Sequence, residues 1–191
     1  MANKNLFYAG KMASQQLDVY LAGAVVLDGN DNPIAAPDGG LVELGDLYAD
    51  DTYSATGKQY DVYEAKAATT TGKDIALIDY AGIQEGNIGG NEYKIGDKLY
   101  GLMVPAGVVT RVRRPHLYDK FWLGDDNYAG TTAPAIGEYY GINSGEFTHA
   151  KIAAGDVATH TGYMVKIVAV RELTVGHRSN GGQYLNEVKA L

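Results

Sequence analysis

The sequence contains no cysteine, which excludes disulfide bonds, thiolate metal sites and a cysteine nucleophile. It also contains no apolar run of about 18–20 residues, the length that a membrane-spanning helix needs, so we expect no membrane partner. The opening residues, MANKNLFYAGK, lack the apolar core of a secretory signal. Together these absences favour synthesis and folding in a reducing cytoplasm.

Basic residues are scarce in the first third of the chain. Up to Glu64 there are 3 Lys/Arg residues against 10 Asp/Glu residues, whereas 13 of each follow. The net charge of −7 therefore resides in the first third. Recognition of a nucleic acid backbone needs a basic surface, so this charge disfavours nucleic acid as a partner. The acidity serves either solubility or docking to a basic partner surface.

Phenylalanine and tryptophan are rare, with 3 and 1 residues, while tyrosine and glycine are abundant, with 15 and 25. Many glycines indicate many turns, and tyrosine favours strands and half-buried interface positions. Runs of β-favouring residues between turn signals predict about ten to twelve short strands. We therefore predict an all-β fold, a single compact β-barrel or β-sandwich over residues 17–191, with an extended N-terminal arm over residues 1–16.

The clearest local pattern is a predicted β-hairpin between Leu99 and Arg113. Leu99–Val104 is apolar, Val104-Pro105-Ala106-Gly107 has turn composition, and Val108–Arg113 is a second run with β-branched residues. Proline presets φ at the second turn position, and glycine supplies a positive φ. The hairpin is expected in the middle of the β core, and its predicted packing residues are Leu99, Leu102, Val104, Val108 and Val112.

Two further patterns lie near the C-terminus. Tyr163–Leu173 (YMVKIVAVREL) is the longest β-like run and the predicted core strand, because both of its faces are mainly apolar. Asn180-Gly181 is a pair favoured in two-residue type I′ turns. It is predicted to return the chain into a last strand over Tyr184–Val188.

The sequence carries no catalytic or metal-binding signature. Asp28, Asn30 and Asn32 have the opening spacing of a calcium loop, but Pro33 and Gly39 stand where a glycine and a bidentate glutamate are required. The four histidines lack the i, i+4 spacing of a helical zinc pair. Nucleophile elbows, P-loops and dinucleotide fingerprints are also missing. We therefore predict that the protein is not an enzyme and has no cofactor.

Two groups of residues are candidates for contact with a partner. Arg111, Arg113 and Arg114 form the one basic cluster of the sequence. It is either a solvated strand face or a contact to an acidic partner, for which the acidic first third of another copy would serve. A sugar-binding module would need an aromatic platform, and the candidates for it are Trp122, Tyr118 and Tyr128.

Three segments resemble small structural proteins of tailed-bacteriophage heads, the capsid decoration or cement class. They are Gly39–Tyr48 (GGLVELGDLY), the Pro105–Gly107 turn, and Arg113–Gly130 (RRPHLYDKFWLGDDNYAG). The resemblance implies a β-rich virion protein without catalytic residues that binds the major capsid protein and forms homo-oligomers such as trimers. A carbohydrate- or receptor-binding module of a head-fibre base or tail component is the alternative. The predicted partner contacts are Phe7, Tyr8, Arg111, Arg113, Arg114 and Trp122.

Overall fold

In the computed structural model the predicted all-β fold is confirmed. The structure describes residues 6–15, 20–48, 62–70, 72–80, 103–175 and 178–191. Within these residues, thirteen strands form a closed barrel, a six-stranded sheet and a two-stranded ribbon.

The barrel is built from five strands, with a single parallel pair, β2 with β5. In the order in which they pair around the barrel, the strands are β2 (Leu21–Val26), β5 (Val62–Ala67), β4 (Leu41–Leu47), β6 (Ile75–Ile78) and β8 (Thr110–Arg113). Its interior is filled largely by small and β-branched side chains, among them Ala24, Val26, Val42, Ala65 and Val112. A five-stranded barrel encloses little volume, which explains why alanine and valine suit these positions.

The six-stranded sheet packs one face against the barrel. Its strands, in spatial order, are β1 (Phe7–Lys11), β9 (Lys120–Gly124), β13 (Arg178–Ala190), β12 (Met164–Val175), β10 (Tyr139–Ile142) and β11 (His149–Ile152). Phe121, Leu123 and Ile167 of the sheet share a core with Leu41 and Leu77 of the barrel. The opposite face of the sheet therefore points away from the barrel.

Of the segment that the sequence predicts as an arm, Phe7–Lys11 forms the edge strand of this sheet and Ala13–Gln15 a 3-10 helix. Asp38 and Asn127, both buried, fix the strand in place. The Asp38 carboxylate accepts hydrogen bonds from the backbone N–H groups of Phe7 (2.8 Å) and Tyr80 (2.9 Å). The Asn127 side chain accepts one from the N–H of Leu6 and donates one to the Asp38 carbonyl (2.9 and 2.8 Å). Because buried backbone groups need partners, these two side chains join the barrel to the sheet.

The predicted hairpin across Val104–Gly107 is wrong in its pairing. The turn itself forms, with Gly107 at φ 75° and the Val108 N–H donating to the Pro105 carbonyl. However, β7 (Met103–Val104) pairs with β3 (Ala36–Pro37), and β8 pairs with β2 and β6.

The predicted packing residues of this hairpin have different outcomes. Val104 and Val112 are buried as predicted, whereas Val108 is exposed. Leu99 and Leu102 lie outside the described residues.

The predicted core strand Tyr163–Leu173 is confirmed as most of β12, but the predicted turn at Asn180-Gly181 is wrong. Val175 already pairs with Arg178, so the chain has reversed before Asn180. Gly181 instead lies at an irregularity in the β12–β13 pairing, with φ 115°. A glycine at positive φ serves a bulge as well as it serves a turn, and the dipeptide alone does not distinguish them.

Candidate interaction surface

The face of the six-stranded sheet that points away from the barrel, here called the outer face, carries two rows of side chains. The first row runs across four strands. Tyr8 lies opposite Trp122, Trp122 opposite Leu185, and Leu185 opposite Ala169. Directly opposite residues point to the same side of a sheet, with Cβ atoms about 5 Å apart. The row is therefore a continuous aromatic and aliphatic strip, at whose edge Tyr8 is 49% exposed.

The second row is charged. Lys11, Lys120, Glu187, Lys166 and Tyr139 follow one another across five strands. The Lys166 ammonium lies 5.5 Å from the centre of the Tyr139 ring, a cation–π distance. The outer face thus combines an apolar strip with a parallel line of lysines.

Two irregularities in the strands create this arrangement. Between Ala9 and Lys11 the register shifts at Gly10, so that Tyr8 and Lys11 share a face although they are three residues apart. A second shift between Ile167 and Ala169 brings Lys166 and Arg171 to the same face. Strict alternation would place both pairs on opposite faces, which explains why the sequence pattern does not predict this surface.

Trp122 is held by a stacked arginine. The Arg171 guanidinium lies 4.1 Å from the centre of the Trp122 ring, and its Nε donates to the Gln183 side chain. Stacking on a planar guanidinium fixes the indole and places a positive charge beside it. Tryptophan and arginine are the residues most enriched at energetically dominant interface positions.

Tyr118 lies beside the outer face in a strained conformation. Its φ is 71° and it is 66% exposed, while the Lys189 ammonium lies 5.9 Å from the centre of its ring. A left-handed conformation costs a non-glycine residue about 1–2 kcal/mol.

The turn that contains Tyr118 is imposed by Asp119. The Asp119 carboxylate accepts from the N–H groups of Ala13 and His116, both at 2.8 Å. Burial raises the pKa of the Asp119 carboxyl. Strain maintained at an exposed aromatic side chain points to a role at the surface.

Positive charge dominates the outer face. Glu187 is the single carboxylate in the two rows, and Lys189 binds it at 2.8 Å. Lys189, and more weakly Lys120 and Lys166, lower the pKa of Glu187. In the described part of the chain, no ion pair neutralises Lys11, Lys120, Lys166 or Arg171. A protein with a net charge of −7 therefore presents a cationic face.

The arginines that the sequence suggested as a contact surface are paired with carboxylates of the same chain. Arg111 and Arg113 both bind Asp79, at 2.7 and 2.6 Å, and Asp79 is buried. Arg114 makes a bidentate pair with Asp74 at 2.8 and 2.9 Å. Arg113 is itself buried, so the cluster links barrel strands and leaves little charge for a partner.

The remaining predicted residues separate into surface and interior. Tyr8 and Trp122 meet on the outer face. Phe7 is completely buried against Phe121 and is not accessible to a partner, because alternation along the edge strand turns it inward. The predicted sugar platform is also wrong in one member, since Tyr128 is buried among Tyr140, Tyr184 and His149.

His149 lies in the core, behind the inner face of the sheet. Its Nδ1 is 3.2 Å from the Asn127 carbonyl and its Nε2 is 3.1 Å from the Tyr163 hydroxyl. A carbonyl oxygen can only accept, so Nδ1 carries the proton and Nε2 accepts from Tyr163. Burial lowers the pKa of His149 to about 4, so the ring is neutral at physiological pH.

The described residues offer little else to bind or react. They contain no group of three or more His, Asp and Glu side chains that could hold a metal ion. A pocket of about 340 Å³ beside β10 and β11 contains Glu138 and Lys151, which bind each other. Among the same residues, no helix has the length and apolar composition needed to cross a membrane.

Comparison with known proteins gives no relative: no family model, no curated protein and no solved structure matches the chain.

Proposed function

We propose that the protein is a non-catalytic structural protein of a tailed-bacteriophage head, which binds the shell of the major capsid protein and stabilises it. The observation that carries the proposal is the outer face. It is an exposed sheet surface, not a cavity, and it combines Tyr8, Trp122 and Arg171 with a line of lysines. Tryptophan, tyrosine and arginine are the residues enriched at protein–protein contacts.

The segment that resembles phage head proteins contributes directly to this surface. Residues 113–130 supply Tyr118, Lys120 and Trp122. They also supply Asp119, which imposes the turn, and Asn127, which anchors the edge strand. The part of the chain on which the resemblance depends is therefore the part that builds the outer face.

The test is binding to empty shells. Purified protein is mixed with shells of the major capsid protein encoded alongside it, and the shells are sedimented. We expect the protein to sediment at a fixed ratio to the capsid protein and to raise the melting temperature of the shells. An absence of sedimentation at micromolar concentrations, together with its absence from purified virions by mass spectrometry, would contradict the proposal.

A carbohydrate-binding module is the second candidate, and the adjacent rings of Tyr8 and Trp122 favour it. Sugars stack on exposed aromatic faces, but Arg171 already covers one face of the Trp122 ring at 4.1 Å. A glycan array decides between the candidates. Specific binding that is lost in Trp122→Ala supports the module, and an array without hits removes it.

A further inference from the structure

We infer that the open edge of β12, residues 168–175, takes up an extended segment of a partner protein as an additional strand. The inference rests on the proposed function, in which this partner is the major capsid protein of the shell. It adds to the outer face a second contact, which is made by the edge of the sheet and its backbone groups.

The open edge belongs to the part of the β12–β13 hairpin that extends beyond β10. β10 pairs with β12 over residues 164–166, and the N–H of Ile167 donates to the Glu138 carbonyl. β12 continues to pair with β13 as far as Val175. In the described part of the chain, no strand pairs with β12 beyond Ile167 on the side of β10. The edge formed by residues 168–175 is therefore available to another strand.

The two outermost strands of the sheet differ from this edge, because they bond to groups of their own chain. On β1, the N–H of Phe7 donates to the Asp38 carboxylate at 2.8 Å. On β11, the carbonyl of His149 accepts from the N–H of Ala129 at 2.8 Å. Occupied edges do not readily take up a further strand, so β12 presents the edge that a partner can use.

The hydrogen bonds on the other side of the hairpin show which backbone groups face the open edge. The N–H of Gly182 in β13 points away from β12, because it donates to the Asp125 carboxylate at 3.1 Å. Successive residues of a strand bond to alternate sides. Arg171, which lies opposite the next residue of β13, therefore bonds across the hairpin, and Val170 and Glu172 direct their N–H and C=O groups to the open edge.

Val170 is more exposed than its position in the sheet requires. It lies opposite Tyr184, whose side chain is buried in the core between the sheet and the barrel. Val170 is on the same face but is 43% exposed. Directly opposite side chains on neighbouring strands contact each other, so an added strand would cover Val170.

A second copy of the same edge is a poor occupant. Two identical antiparallel strands pair about a twofold axis, which places one residue of each strand opposite its own copy. The two registers that use most of residues 168–175 place Arg171 opposite Arg171 or Glu172 opposite Glu172. Because like charges directly opposite each other are destabilising, the edge favours a strand from a different protein.

The side chains of the edge define the segment that fits it. Val170, Arg171 and Glu172 are consecutive and exposed, and directly opposite residues share a face of the sheet. The partner strand therefore carries an apolar residue opposite Val170, a carboxylate opposite Arg171, and a lysine or arginine opposite Glu172. In strand addition, backbone hydrogen bonds supply affinity and side chains of this kind supply specificity.

The experiment removes one backbone donor from the open edge. Val170→Pro lacks the N–H that faces the edge and leaves the bonds to β13 in place, since proline is tolerated where the N–H faces solvent. The control Val170→Thr keeps the N–H and the branched side chain. Binding of each protein to empty shells of the major capsid protein is measured by sedimentation, and circular dichroism verifies that each is folded.

Hydrogen exchange of the wild type, free and bound to shells, gives a readout that needs no variant. We expect the amides of residues 168–175 to exchange more slowly in the bound protein, because an added strand accepts hydrogen bonds from them. Val170→Pro should bind shells about tenfold more weakly than the wild type, and Val170→Thr should bind as tightly as the wild type.

Three results would overturn the inference. If folded Val170→Pro and the wild type bind shells equally, or if exchange over residues 168–175 is unchanged on binding, the inference fails and the proposed function stands. Wild-type dimers that Val170→Pro abolishes would assign the edge to a second copy. A wild type that does not bind shells overturns the proposed function and the inference with it. If Val170→Pro does not fold, exchange of the wild type decides.

Discussion

Acidification is expected to destabilise this protein through one buried side chain, His149. Its ring is neutral and completely buried, with Nδ1 donating to the Asn127 carbonyl and Nε2 accepting from Tyr163. Its pKa is lowered from 6.5 to about 4. Between pH 4 and pH 6.5, His149 is therefore protonated in the unfolded chain and neutral in the folded chain. Stability is complete above pH 6.5 and falls as the pH falls towards 4.

The magnitude follows from the difference in pKa. One unit corresponds to about 1.4 kcal/mol, so the full contribution across the window is about 3 kcal/mol. More than half of this loss falls between pH 7 and pH 5, so lowering the pH over that range should reduce the free energy of unfolding by about 2 kcal/mol. This is a substantial fraction of the roughly 5–15 kcal/mol that stabilises a typical domain.

The assay is urea unfolding at pH 7 and pH 5, followed by tryptophan fluorescence. His149→Gln keeps a side chain that can donate and accept but cannot titrate, so its stability should change by less than about 0.5 kcal/mol between the two pH values. His116→Gln removes an exposed histidine. Between pH 7 and pH 5 it should lose as much free energy of unfolding as the wild type. An equal loss of stability in His149→Gln and in the wild type would refute the reasoning.

Three other substitutions test the account. Tyr118→Gly relieves the strain of a residue at φ 71°, so thermal unfolding should show stability unchanged or higher by up to about 1 kcal/mol. A marked loss of stability would contradict this. Gly10→Ala places a Cβ 2.7 Å from the Lys120 carbonyl oxygen and should cost about 1–3 kcal/mol in urea unfolding. The control Gly29→Ala, with no atom within 4 Å of the new Cβ, should cost little. Arg113→Met removes a buried partner of Asp79 and should lower the free energy of unfolding by about 3 kcal/mol. Arg111→Met removes a half-exposed partner and should lower it by less than about 1 kcal/mol. Equal losses would contradict the difference in burial between the two arginines.

Much of the fold is predictable from local sequence because strand formation depends on local patterns. The runs around Val25, Leu44, Ala65, Trp122 and Ile167 all form strands. Pairing is not local. Val104 pairs with Ala36, which is distant in sequence. The composition of the Pro105–Gly107 turn does not indicate that the strands on its two sides pair with other strands and not with each other.

The candidate site was less predictable for two physical reasons. Bulges at Gly10 and between Ile167 and Ala169 reverse the face of every later residue in the strand, so that alternation assigns the lysines incorrectly. The arginines of the cluster are paired within the chain, Arg111 and Arg113 with Asp79 and Arg114 with Asp74, and both carboxylates are more than thirty positions away. Of the residues predicted as contacts, Tyr8 and Trp122 lie on the outer face, and their contact with a partner stays a prediction.

The most direct test of the central claim, that the outer face is a protein contact surface of a head protein, is photo-cross-linking on shells. A photoreactive amino acid replaces Tyr8 on the outer face, and in a control protein it replaces Asn30, which is exposed on the barrel. After binding to shells and irradiation, mass spectrometry identifies the cross-linked chains. We expect efficient cross-links from position 8 to the major capsid protein of the shell, and few from position 30. Cross-linking from position 30 alone, with position 8 unreacted, would contradict it.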